Sequence, residues 1–212
     1  DNTTGAGSVA LGTRAALSIT TIGETTAIGF EALEDTTTGL GNTAVGYQAL
    51  TANTTGNYSV AVGYKSLNAT TTAVYNTAVG YKSLSNNLTG TSNVAIGYMA
   101  LTDNTTAAQN TAVGYQSLDA NTTGAGNTAL GYKASHDVTT GLRNTTIGHL
   151  CGALITTGSN NIVIGSEASA SSATVDNEIT LGDTGITKFR IPGINFELAD
   201  NGGTPTNGHV LT

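Results

Sequence analysis

The chain has 212 residues, of which only 10% are charged, and carries a formal net charge of −7. Seven Lys and Arg in all are too few to line a nucleic-acid groove, and no apolar run approaches the roughly 18 residues of a membrane span. A single cysteine, Cys151, excludes an internal disulfide.

The chain opens on Asp1-Asn2-Thr3-Thr4-Gly5, in the middle of a unit that then recurs along it, as expected of a segment of a longer protein. The unit's glycine stands at Gly12, Gly29, Gly46, Gly63, Gly80, Gly97, Gly114, Gly131, Gly148, Gly165 and Gly182, each 17 positions after the last. A fixed period without insertions marks a stacked repeat architecture. Before each glycine comes an aliphatic residue, for example Val45, Val62, Ile96 and Leu130. Two before it stands Ala in the first eight copies, then Thr146, Val163 and Thr180, and three before it Val, Ile or Thr. This β-branched alternation over about four residues predicts a short strand in every copy. A second apolar step follows four after the glycine at Leu33, Leu50, Leu67, Leu84, Leu101 and Leu118. A polar stretch typified by Asn121-Thr122-Thr123-Gly124 then turns the chain.

Helical solenoids need about 33 residues or more per repeat, so 17 leaves no room for two helices and their loops. Gly, Thr and Asn are also weak helix formers. The expected fold is therefore all-β, a parallel β-solenoid (β-roll) of 17-residue turns over residues 1–183. At about 4.8 Å per turn its length is roughly 50 Å. After Gly182 the glycine period stops, and Ile186-Thr187-Lys188-Phe189-Arg190-Ile191 alternates like a strand closing the stack. Residues 184–199 thus read as a cap, which a solenoid's open edge needs, and 200–212 as a linker to a further domain. Each turn has so little apolar bulk that the remaining aliphatic column is expected to be covered by other copies of the chain, in a homo-oligomer.

Three columns invite a functional reading. The residue after the glycine is aromatic from Phe30 through Tyr47, Tyr64, Tyr81, Tyr98, Tyr115 and Tyr132, followed by His149. Stacked one turn apart, these rings form a ladder. Pointing outward it would offer flat apolar faces to sugar rings. Parity with the aliphatic and Val/Thr columns favours instead packing in the coil or in a seam between chains. The next column, containing Lys65, Lys82, Gln116 and Lys133, varies freely and is read as solvent-facing, a place for surface contacts. Eight before the glycine, Thr fills every copy from Thr4, Thr21 and Thr38 to Thr174, and most copies place a second Thr just before it. An ice-facing plane would need threonines spaced by two on one strand face. Adjacent ones suit turn hydrogen bonding and an internal hydroxyl ladder better, so an ice-binding solenoid is a minor alternative.

No catalytic constellation is present in the sequence. His136, His149 and His209 share no spacing with acidic partners, and neither a phosphate loop, a zinc spacing, a nucleophile elbow nor the calcium-binding Gly-Gly-x-Gly-x-Asp pattern occurs. The expectation is a protein that is not an enzyme and needs neither cofactor nor metal. Cys151 falls in a column otherwise held by Ala and Ser and is read as packing.

Asn93-Val94-Ala95-Ile96-Gly97 and Ser59-Val60-Ala61-Val62-Gly63 resemble the Ser-Val-Ala-Ile-Gly type motif in the YadA-like heads of trimeric autotransporter adhesins. The longer unit Asn-Thr-Ala-Val-Gly-Tyr-Gln-Ala-Leu, followed by Asn-Thr-Thr-Gly, is similar to repeats of bacteriophage tail fibres. So, more loosely, is the tail from Phe189 to Phe196 with Asp200 to Thr206. The period of 17 exceeds the usual adhesin-head repeat. The resemblance implies a left-handed coil, assembled as a homotrimer, in an extracellular tail fibre of a virion or on a bacterial cell surface. Its implied partners are two further copies of the chain and a host cell-surface glycan or protein, with no nucleic acid and no membrane insertion.

Overall fold

The computed structural model describes residues 7–20 and 23–188. Its described residues form eleven three-residue strands, from β1 (Val9–Leu11) and β2 (Thr26–Ile28) to β11 (Ile179–Leu181), without a helix. They lie in chain order in one parallel sheet. Register is constant: Thr43 pairs with Val60, Val60 with Thr77 and Thr77 with Val94, each one period on. The fold is a parallel β-solenoid of 17-residue turns, as the spacing of the glycines requires.

Hydrogen bonding between turns does not stop at the strand. Gly46 N donates to Ile28 O at 2.8 Å, Gln48 N to Phe30 O at 2.8 Å, Leu50 N to Ser66 O at 3.0 Å and Tyr58 N to Leu40 O at 2.9 Å. Backbone donors therefore reach alternately to the turn before and the turn after, all the way round. Two conformations make this possible in so short a circuit. The repeat glycine lies at φ +133 to +143° from Gly29 to Gly148, a region closed to other residues. A Cβ on Gly80 would also sit 2.2 Å from the carbonyl oxygen of Gly97. The other corners use left-handed backbone at ordinary residues, such as Gln48 (φ 52°), Leu50 (φ 53°) and Tyr58 (φ 55°). Each such residue costs about 1–2 kcal/mol, offset here by the turn-to-turn bonds it permits.

The core is a thin axial seam. The Ala column of the strands (Ala27, Ala44, Ala61, Ala78, Ala95, Ala112) is fully buried and meets Leu33, Leu50, Leu67, Leu84, Leu101 and Leu118 from across the coil. Two polar columns share it. Asn42, Asn76, Asn93, Asn110, Asn127, Asn144 and Asn161 are buried beside the strand's start. Each accepts from the backbone N–H of the same position one turn on, as Asn93 N to Asn76 Oδ1 (2.9 Å), and donates to a carbonyl of the next turn, as Asn76 Nδ2 to Gly90 O (2.9 Å). The second column runs Asn87, Asn104, Asn121, with Asn104 Nδ2 donating to Asn87 Oδ1 at 2.8 Å and Asn121 Nδ2 to Asn104 Oδ1 at 3.1 Å. These buried amides, bonded from turn to turn, lock the stacking register, since a slipped turn would leave them unpaired.

At the C-terminal end, Ile186 to Lys188 carry no strand, contrary to the closing strand expected there; residues 189–212 of the expected cap and linker lie outside the described residues. The chain turns at Asp183, with Gly185 N bonded to Asp183 Oδ1 (2.9 Å), and Ile186 folds against Gly182 instead of extending in register.

Candidate functional site

In the strands the small Ala points inward, so parity turns the flanking columns outward. Thr43, Val45, Thr77 and Val79 are half-buried, and Leu130 and Ile147 remain 47% and 37% exposed. Neither strand column holds a charged residue in any of the eleven rows. Inside the coil the strands from Ala27 to Ala129 therefore bury Ala and not a β-branched residue. The seam is only wide enough for Ala opposite Leu.

The aromatic column continues this face. Rings from Phe30 to Tyr132 are 39–44% exposed, so packing inside the coil, one of the two structural places expected, is excluded. They stack on one another at 5.0–5.2 Å between centroids and 6–12° between planes, and His149 ends the series on Tyr132 at 5.2 Å. Lys65, Lys82 and Lys133, of the column read from the sequence as solvent-facing, are half-buried and set their Nζ over Tyr64, Tyr81 and Tyr132 at 5.6, 5.6 and 5.9 Å. Such cation–π contacts tie the lysines to the ladder. Gln116 is likewise engaged, Nε2 donating to Asp119 Oδ2 at 3.2 Å.

The two threonine columns separate. Thr54, Thr105, Thr122 and Thr139 donate their hydroxyls to carbonyls of the next turn at 3.0–3.2 Å, the turn bonding expected of them. Thr38, Thr55, Thr72, Thr89, Thr106, Thr123, Thr140, Thr157 and Thr174 are exposed in single file, not internal. Their neighbours on that side differ from row to row (Leu40, Asn57, Val74, Thr91), so the file is not part of a uniform plane.

Elsewhere, among the described residues no three His, Cys, Asp or Glu gather as a metal site, and no helix is long and apolar enough to cross a membrane. Cys151 is fully buried, with Sγ 3.0 Å from Val163 O, and burial pushes its thiol pKa up, away from the reactive thiolate. Glu178 ends the first asparagine column. Its carboxyl is held below the ordinary range by the hydroxyls of Ser171 and Thr180. His136 Nε2 faces Asp137 Oδ1 at 3.3 Å on the surface.

One aromatic pair escaped the sequence reading because it does not recur. Tyr58 and Tyr75 stack at 5.6 Å and 8°, away from the ladder, at 52% and 59% exposure.

Comparison with known proteins returns no matching family model, no matching curated protein and no matching solved structure.

Proposed function

We propose that this chain is a rod-forming segment of an extracellular attachment fibre, three copies packed through their strand faces as left-handed coils. A bacteriophage tail fibre is the reading its repeat unit favours, with the head of a bacterial trimeric autotransporter adhesin as the alternative. Its work is to span distance and to present a side surface to a host-cell glycan or protein, without catalysis.

The single observation that supports this is the uncovered strand face. It combines an aliphatic column, a column of Thr, Val and Ile, full-length regularity and absence of charge. About eleven rows at 4.8 Å, four residues wide, give roughly 650 Å², close to the roughly 800 Å² that each partner contributes to a stable interface. The face carries no charge that would set copies of an acidic chain against one another. Constant register also means that parallel copies about an axis would bring like row against like row.

Sedimentation velocity tests the assembly. The folded chain is expected to run as a trimer, and Val62→Glu with Val79→Glu on the strand face to reduce it to a monomer. Thr72→Glu, on the exposed threonine file, should leave the trimer intact. A folded wild-type monomer would overturn the reading. Thermal hysteresis in dilute solution would move the chain to the ice-binding class, and turnover of a host polysaccharide would make it an enzyme.

A further inference from the structure

We infer that Tyr58 and Tyr75 form a platform for a neutral sugar ring, seated on the open face of Tyr75 above Ser92. The inference rests on the reading of the chain as an attachment element and names a ligand class and a place for it.

The column that holds this pair does not require aromatics. Its other members are Gly7, Glu24, Gly41, Ser92, Gln109, Gly126, Arg143, Asn160 and Asn177. Its backbone is left-handed, φ 55° at Tyr58 and 60° at Tyr75, where bulky residues are uncommon. Two adjacent tyrosines at such positions are therefore not explained by the turn's own geometry. They are also more exposed than any ladder ring.

The ends of the short stack differ. Tyr58 lies over Gly41, where a Cβ would stand only 2.7 Å from its Cδ1, so the glycine makes the floor. Tyr75 rests on Tyr58, and the next row offers the small, exposed Ser92. A ring is missing where the stack would continue. Interior ladder rings, by contrast, have another ring on each side and no free face to lend.

Polar groups border the vacant ledge. The hydroxyls of Ser92 and Thr91 and the side chain of Gln109 make no hydrogen bond among the described residues. From Leu40 to Gly126 neither this column nor the one before it contains a charge. A pyranose has an apolar C–H face for the tyrosine and hydroxyls for the rim. The lack of any cation selects neutral sugars over sialylated or sulfated ones.

The test is a titration of the assembled protein, labelled with ¹³C in its tyrosine rings, with cellohexaose, with maltohexaose and with sialyllactose. A neutral oligosaccharide is expected to shift Tyr75, and Tyr58 less, saturably with a Kd of about 1 mM, the weak affinity typical of a one-ring contact. Read at the Tyr58 ring, Tyr75→Phe should keep the smaller response and Tyr75→Ala abolish it. Ser92→Tyr, which lays a third ring over the open face of Tyr75, should abolish the Tyr75 shift while leaving the melting curve in place. The inference fails if neither neutral sugar moves Tyr75 at about 10 mM, if the shift survives Ser92→Tyr, or if only sialyllactose binds. Sedimentation of the same samples reports the trimer independently, so loss of sugar binding and loss of the assembly are told apart.

Discussion

The middle of the coil and its late turns solve the same packing problem with different residues. From Leu33 to Leu118 each turn fills its seam with Leu and sets Thr or Asn three positions later (Leu84 with Asn87, Leu101 with Asn104, Leu118 with Asn121). In the turns of Gly131 and Gly148 the pair becomes Ser135 with Val138 and Gly152 with Ile155, and the strand's Ala becomes Thr146. Ala16 with Ile19 repeats the late pattern at the other end. Volume lost at one site returns at the other, and the exchange is forced at Gly152, where a Cβ would stand 2.6 Å from the Thr146 methyl. The switch also has a cost in hydrogen bonding. Asn121 is the last amide of its ladder, and its buried Oδ1 faces a row where Val138 offers no donor, so it has no partner. A repeat constrains the sum over a turn more tightly than it constrains each column.

What both regions share should be the most sensitive. Gly80→Ala and Gly148→Ala each force a side chain into φ beyond +130° and against a carbonyl oxygen 2.2–2.3 Å away. Each is expected to destabilise by about 3–5 kcal/mol, strain and overpacking together. Denaturant titration followed by circular dichroism measures this. A loss in one region only would mean that the glycine column is not the common element. Next comes the exchange itself. Leu84→Ala should cost about 3 kcal/mol, and adding Asn87→Val should restore about 1 kcal/mol or more by refilling the seam. Strict additivity of the two changes would break the volume argument.

The architecture was legible because its causes recur. Eleven glycines at one spacing fix a turn whose backbone only glycine allows, and alternation around Ala marks the strand. What stayed hidden was direction and handedness of backbone. Ala is apolar but small, so the sequence did not tell that it, and not Val or Ile, takes the inside. Left-handed corners at Leu50 and Gln48 left no trace, since neither residue prefers that conformation. The Asn columns read as turn-formers although they are buried clamps. Of the candidate site, the ladder was visible and its outward side was not. Tyr58 and Tyr75 were passed over because they break the pattern.

The boundary between regions can be moved. Val138→Asn would give Asn121 Oδ1 an amide donor and extend the ladder by one row. Its cost should stay near 1 kcal/mol, below the roughly 2 kcal/mol of Val138→Ala, which loses the same packing and supplies no bond. If Asn proves worse than Ala at this position, the unpaired oxygen of Asn121 is of no consequence and the two cores are simply incompatible.

The smallest effect lies on the surface of that boundary. Burial, and after it the like charge of Asp103, raises the Asp119 pKa against the pull of hydrogen bonds from Thr102 and Gln116 and of the His136 charge. A carboxyl with a raised folded-state pKa holds its proton more tightly in the folded chain. Its contribution is therefore fully present below the unfolded value, near 3.8, and is lost as pH rises through the folded one. At neutral pH Asp119 is ionised and the fold bears the penalty. Asp119→Asn should then raise Tm by about a degree at pH 7, because the site is half-exposed and screened. The difference should shrink as pH falls through the carboxylate range, where the wild-type side chain is itself neutral. A gap that widens on acidification would show that Asp119 is stabilised as an anion, with Gln116 and not burial setting its state.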